Sequence, residues 1–182
     1  MTDISPSPWV VHWAAQISTH ALALDIACGA GRHSKLLLSR GLRVVAVDIN
    51  IDGMKLLAGR RDLELIQADL ENGPWPFPER NFDAVVVTNY LYRPIFPHLL
   101  AALKPGGMLI YETFAAGNGE FGRPSNPNFL LQPGELLAMV DGVARVIAYE
   151  DVYIETPKPA LLQRICAVAN GAAQRYFPAP GN

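Results

Sequence analysis

The stretch that most constrains this chain is residues 21–34, ALALDIACGAGRHS. An apolar run ends in an acid, Asp25. A turn of small residues follows, Ala27-Cys28-Gly29-Ala30-Gly31, and then helix-forming content over residues 32–40. The order is strand, tight loop, helix. Glycines in such a loop let the backbone approach a ligand with no side chain in the way. A second apolar run, LRVVAV, ends in Asp48, 17 residues beyond Gly31. An acid at the tip of a second strand, beside a glycine-rich first turn, suits two ribose hydroxyls. The pair points to a cofactor that contains adenosine.

The rest of the chain alternates in the same way. Strands are predicted over residues 21–26, 42–47, 63–67, 82–88 and 108–114, with two more strand-like runs at 144–152 and 161–169. Several are nearly continuous apolar runs, as in a parallel sheet covered by helices on both faces. Helices are predicted over 32–40, 51–60 and from Pro94 to about Leu103, with Gly41 at a C-cap, Asn50 at an N-cap and Pro94 in a first turn. Trp9, Trp13 and Ile17 recur along one helical face; they either pack on the sheet or, through Trp9, form a lid over the site. Residues 72–81, NGPWPFPERN, hold three prolines and are expected to be a surface connection. Residues 115–133 form a second irregular segment after the fifth strand, on the edge where α/β sheets bind ligands. It is either an acceptor-side loop or an Ω-loop without substrate contact. Residues 170–182 are expected to be a loose tail.

Composition removes several function classes. A chain of 182 residues, half of them apolar, is expected to fold as one domain with a sizeable core. The formal charge is −2 and no Lys/Arg run occurs, which disfavours nucleic acid as a partner. The two cysteines, Cys28 and Cys166, suggest neither a disulfide framework nor a zinc cluster, and Cys28 reads as a small apolar filler rather than a nucleophile. His12, His20 and His98 show no metal spacing, so no metal site is expected. His33 is either a base near the glycine loop or a polar residue of the first helical turn. No leader and no membrane-length apolar run is evident, so no membrane partner is expected and a cytoplasmic location is the default expectation.

A dinucleotide fingerprint of the G-x-G-x-x-G type fits poorly, because Ser34 stands at the third glycine position. Asp25-x-Ala27-x-Gly29-x-Gly31 instead resembles the first motif of class I S-adenosylmethionine (SAM)-dependent methyltransferases, with Ala27 in place of the commoner glycine. Asp48 resembles the ribose-binding acid of the second motif. Gln67-Ala68-Asp69-Leu70 resembles the third, where an acid meets the adenine amino group. Phe82-Asp83-Ala84-Val85-Val86-Val87 and Leu103-Lys104-Pro105-Gly106-Gly107-Met108-Leu109 resemble the fourth strand and the turn into the fifth. Residues 129–137, FLLQPGELL, loosely resemble short bacterial methyltransferases of the tellurite-resistance type. The resemblance implies a single-domain, Rossmann-like α/β fold. Its sheet would be mostly parallel and seven-stranded, with the last strand antiparallel. It also implies SAM as cofactor and S-adenosylhomocysteine as product. Asp25, Ala27, Cys28, Gly29, Gly31, Asp48, Ile49, Asp69, Leu70, Thr88, Asn89 and Tyr90 would then lie along the cofactor. The bland alternative for Asp25 is a bond to nearby backbone amides.

On the acceptor side, Tyr92, Arg93, Glu112, Arg123 and Phe129 are the candidates, with Asn126 and Asn128 beside them. Either arginine would favour an anionic acceptor; the rival reading is that the arginines bond loop carbonyls. No catalytic residue is evident, since in-line transfer needs mainly positioning and a base only where the acceptor loses a proton. Thr88-Asn89-Tyr90-Leu91 departs from the Asp/Asn-Pro-Pro-Tyr pattern of enzymes that methylate amino groups of adenine or glutamine. The expectation is methyl transfer to a small-molecule acceptor. The alternatives are a non-catalytic SAM-binding module that regulates or scaffolds a partner and, less well matched, a nucleotide-dependent oxidoreductase.

Overall fold

A computed structural model describes residues 5–171 and Phe177. Seven strands form one sheet: β1 (Leu22–Ile26), β2 (Arg43–Asp48), β3 (Leu63–Gln67), β4 (Phe82–Thr88), β5 (Leu103–Phe114), β6 (Ala144–Ile154) and β7 (Ala160–Ala169). Their spatial order is β3-β2-β1-β4-β5-β7-β6. β1 to β5 are mutually parallel, and β7 runs antiparallel to both β5 and β6. This is the mostly parallel, Rossmann-like sheet with an antiparallel last strand that the motifs imply. The order reverses between β1 and β4, and in open α/β sheets such a switch point opens a crevice at the carboxyl ends of the strands.

The apolar runs explain the two covered faces. Leu24, Ile26, Val45, Val47, Val85 and Val87 point to one face, where they meet Leu99 of α3 (Phe96–Ala101) and Leu136 and Val140 of α4 (Glu135–Val140). The alternate residues Ala23, Val44, Ala46, Ala84 and Val86 point to the other. There they meet Trp9, Val10 and Trp13 of α1 (Pro8–Ala14) and Leu37 and Leu38 of α2 (Arg32–Ser39). Each fully buried large apolar side chain contributes roughly 1.5–3 kcal/mol relative to exposure. Trp9 and Trp13 are both buried and pack edge to face, 5.7 Å apart. The expected N-terminal stripe is therefore a packing face.

Three predicted elements differ. The helix expected over 51–60 is a 3-10 turn, Asp52–Leu57. Its N-cap is Ile51 rather than the expected Asn50, whose side chain instead accepts the Asp52 N–H at 2.8 Å from one position earlier. The turn stays short because it docks on the glycine loop, with Met54 fully buried beneath Gly31. The helix expected from Pro94 to Leu103 is a 3-10 turn, Arg93–Ile95, followed by α3, and Leu103 already belongs to β5. The proline-rich connection is more than a surface link. Lacking amide hydrogens at Pro74, Pro76 and Pro78, it cannot form a crossover helix, yet it covers the sheet as a helix would. Phe77 is buried against Phe82, Trp75 stacks on His98 at 5.4 Å, and the Arg80 guanidinium sits 5.5 Å from the Phe82 ring centre.

Residues 115–133 close on themselves: Ala116 N–H donates to Leu131 O at 2.8 Å and Leu131 N–H to Phe114 O at 2.9 Å. Asn118, almost fully buried, donates to Pro124 O at 3.0 Å and accepts from Leu161 N–H at 3.1 Å, which pins the loop to β7. Of the expected tail, only Asn170, Gly171 and Phe177 fall within the described residues, and Phe177 packs on the α1 side of the sheet. No helix among the described residues is long and apolar enough to cross a membrane.

Candidate active site

The loop from Ala27 to Gly31 lies at the switch point between β1 and β4. Cys28 N–H donates to Val47 O at 3.1 Å and Gly31 N–H to Cys28 O at 2.8 Å, which holds the loop on β2. Ala27, Gly29 and Gly31 have φ of +52°, +53° and +74°. For the glycines this left-handed backbone costs nothing; for Ala27 it is strained by roughly 1–2 kcal/mol. Gly31 also has a packing reason. A Cβ there would lie 1.7 Å from Met54 Sδ. Over Gly29, by contrast, a Cβ would meet nothing within 4 Å. That open space is where a ligand can approach the backbone. The Cys28 side chain turns into the core on the α1 side, and burial raises its thiol pKa, so it is held as an unreactive thiol.

Asp48, at the tip of β2, faces this loop. Its Oδ2 accepts Gly29 N–H at 2.8 Å and its Oδ1 accepts Asn50 N–H at 2.9 Å. Each carboxylate oxygen keeps a further lone pair for a hydroxyl. Ile49 beside it is exposed. Asp69, at the end of β3, is held in its own turn: it accepts Glu71 N–H, Asn72 N–H and Asn72 Nδ2 at 2.9, 3.0 and 3.0 Å. The bond from the Asn72 side chain is the largest cause that lowers its pKa. Leu70 is buried behind it. Thus Asp48 and Asp69 line the carboxyl edge on one side of the glycine loop.

Asp25 is placed differently. It is 1% exposed and accepts the Ser34 hydroxyl of α2 at 2.5 Å. Burial pushes its carboxyl up to about 6, against the lowering effect of Ser34. It ties strand to helix beneath the loop and leaves the loop backbone to face the crevice. His33, also buried, joins three segments. Its Nε2 accepts Ser7 N–H at 3.1 Å and its Nδ1 lies 3.1 Å from Thr88 Oγ1. A ring nitrogen that accepts an amide hydrogen is bare, so Nδ1 carries the proton and donates to Thr88. Burial pushes the His33 pKa down to about 3. Both ring nitrogens are engaged and neither is free to act as a base. The first-turn polar reading of His33 thus holds, with a joining role that its sequence context did not signal.

The acceptor-side candidates separate. Arg93 forms a fork on Glu135, with Nε to Oε1 at 2.5 Å and Nη2 to Oε2 at 2.9 Å, and also donates to Asn128 O and Leu130 O at 2.9 and 3.0 Å. It clamps the 115–133 loop to α4, as the rival reading of the arginines supposes. Glu112 is buried on the α1 face, 3.4 Å from Arg164, which also pairs with Glu150 and lies over the Trp9 ring. Tyr92 donates its hydroxyl to Glu71 O at 2.9 Å. Phe129 is brought to an open cavity of about 250 Å³, also lined by Leu91, Phe114 and Pro124. Asn89, Tyr90, Thr113 and Glu71 complete its wall, and Arg123 does not line it. The Tyr90 hydroxyl is buried and has no hydrogen-bond partner among the described residues. Asn89 holds φ +53° at the end of β4, where the chain turns into this wall. Glu71, Thr113 and Met54 were not singled out by motif. Their roles arise from neighbours distant in sequence.

The family model described as "Methyltransferase domain" matches residues 23–107. A demethylmenaquinone methyltransferase from Paenarthrobacter aurescens (strain TC1) is 31% identical over 108 residues, covering 56% of this chain and 42% of that protein. The chain thus spans less than half the length of that relative. Among solved structures, TehB from Haemophilus influenzae superposes with a TM-score of 0.75 at 19% identity, over 91% of this chain and 63% of that one. A Burkholderia thailandensis 1,6-didemethyltoxoflavin-N1-methyltransferase, solved with bound 1,6-didemethyltoxoflavin and S-adenosylhomocysteine, gives 0.68 at 18% identity, over 90% and 77%. These likenesses agree in fold, and the matched residues contain the glycine loop, Asp48 and Asp69. Residues 23–107 therefore match a methyltransferase domain, and the whole described chain has the Rossmann-like fold of the solved methyltransferases it resembles.

Proposed function

We propose that this chain transfers a methyl group from SAM to a small-molecule acceptor, with the described fold acting as one catalytic unit. The observation that carries the proposal is the pairing of an open glycine backbone and Asp48 with a small cavity on the same sheet edge, which Asn89 and Tyr90 at the end of β4 also line. The residues present fit the cofactor. Asp48 would hold the ribose hydroxyls, Asp69 and Leu70 the adenine side, and the open space over Gly29 would admit the amino-acid end. Thr88, Asn89 and Tyr90 would run beneath it at the end of β4. When bound, SAM supplies a methyl group already activated by a sulfonium leaving group.

The chain's own part is positioning. The 27–31 loop and β4 orient one reactant, the 115–133 loop and the 89–91 segment orient the other, and α1 together with the proline-rich connection keeps the sheet faces dry. Such alignment supplies on the order of 7–11 kcal/mol in favourable cases. With His33 engaged at both nitrogens, no side chain is assigned as a base. The named reactions of the menaquinone and toxoflavin relatives support a small-molecule acceptor.

Calorimetric titration with S-adenosylhomocysteine tests the cofactor half. Two charge-assisted hydrogen bonds contribute about 1.5–3 kcal/mol each, so Asp48→Ala is expected to weaken binding by well over tenfold while circular dichroism stays native. Unchanged affinity in a folded variant would overturn the assignment. Tight cofactor binding with no turnover across a broad acceptor panel would favour a non-catalytic SAM-binding module.

A further inference from the structure

We infer that the cavity beside Phe129 takes an acceptor without negative charge: a neutral or protonated molecule built on a single ring with short substituents. The inference rests on the proposed methyl transfer and deepens it. Size is the first constraint. At about 250 Å³ the cavity is smaller than the roughly 300–1,000 Å³ usual for drug-sized ligands. Shape and polarity are the second. Leu91, Phe114, Pro124 and Phe129 offer flat or apolar surface, and Phe129 stays 47% exposed. Asn89 and Thr113 offer neutral hydrogen-bonding groups to a single polar substituent.

Charge is the third constraint. Glu71 is the one carboxylate among the residues lining the wall, and no Lys, Arg or His lines it. Burial is the main reason the Tyr90 hydroxyl resists ionisation, and the carboxylates at Glu71, Asp69 and Asp48 act in the same direction, so acids rather than cations surround this side of the site. The arginine best placed by sequence to reverse it, Arg93, has its fork closed on Glu135 and two loop carbonyls. An anionic acceptor would meet Glu71 without a facing cation. A neutral ring loses nothing there, and an ammonium gains.

The test uses three probes of one shape, 4-ethylphenol, tyramine and 4-hydroxyphenylacetate, titrated into the full chain by ligand-observed NMR with and without saturating S-adenosylhomocysteine. Calorimetry of S-adenosylhomocysteine reports separately on the cofactor reading. We expect 4-ethylphenol and tyramine to bind at least tenfold more tightly than 4-hydroxyphenylacetate. Glu71→Gln is expected to reduce that gap severalfold by weakening tyramine, and Phe129→Ala to weaken both favoured probes. Equal binding of all three, binding of none, or a preference for 4-hydroxyphenylacetate that Arg123→Met abolishes would each overturn the inference, whatever the cofactor result.

Discussion

His33 offers the sharpest physical test of how the site is held. Its side chain is 3% exposed, and its two nitrogens join the start of α1, the start of α2 and the end of β4 through Ser7 and Thr88. Burial holds its pKa at about 3, against an ordinary value of 6.5. The unfolded chain therefore takes up the proton first. Its contribution is complete above about pH 6.5 and is lost as pH falls toward 3, at about 1.4 kcal/mol per pH unit, or about 4–5 kcal/mol over the full window. Asp25 works in the opposite direction. Its folded pKa of about 6 lies above the ordinary 3.8, so the folded chain binds that proton more readily. Stability from Asp25 rises as pH falls from about 6 to about 3.8, by roughly 3 kcal/mol. Between those limits the two slopes nearly cancel in the native protein. His33→Gln removes one of them. Urea unfolding, followed by circular dichroism from pH 7.5 to 4, is expected to show the native protein losing ground to the variant by about 1.4 kcal/mol per pH unit below 6.5. Parallel pH profiles for the two proteins would refute the buried neutral histidine and the network drawn through it.

Three further outcomes follow from the same geometry. Gly31→Ala forces an alanine to φ +74° and drives its Cβ to 1.7 Å from Met54 Sδ; it is expected to lose more than the roughly 1–2 kcal/mol of backbone strain alone. In a double-mutant cycle by denaturant titration, Met54→Ala is expected to recover the excess, and strict additivity would show that Met54 is not the obstacle. Arg93→Met leaves Glu135 and two loop carbonyls without their donor. It is expected to lower the melting temperature by several degrees and to hasten proteolytic cleavage within 115–133, with cofactor affinity kept; a stable variant with an intact loop and lost acceptor binding would return Arg93 to substrate recognition. Phe77→Ala is expected to cost about 3–5 kcal/mol by calorimetry if the proline-rich connection covers the sheet as described, and under 1 kcal/mol if it is a surface link.

The strands were legible because their apolar runs are long and uninterrupted, and because a parallel sheet buried on both faces requires such runs. The glycine loop and the acids at Asp48 and Asp69 were legible because they are local: each sits where a strand ends, within a few residues of the turn it serves. Short helices were less legible. Residues 51–60 have helical content, yet the docking of Met54 under Gly31 leaves only a 3-10 turn. The covering role of Trp75 and Phe77 was hidden by prolines that correctly ruled out a helix but said nothing of burial.

The sequence by itself determined the sheet's strands, the glycine turn between β1 and α2 and the likeness to methyltransferases, since spacing along the chain is enough for each. It could not apportion the polar residues. Arg93 reads equally well as an anion receptor or a clamp until Glu135, 42 residues away, closes on it. His33 reads as base or filler until Ser7 and Thr88 occupy its two nitrogens. Glu112 reads as a pocket acid until strand alternation turns it to the α1 face and Arg164. A side chain's chemistry depends on which partners saturate it and on how far it is removed from water, and both are set only when the chain folds.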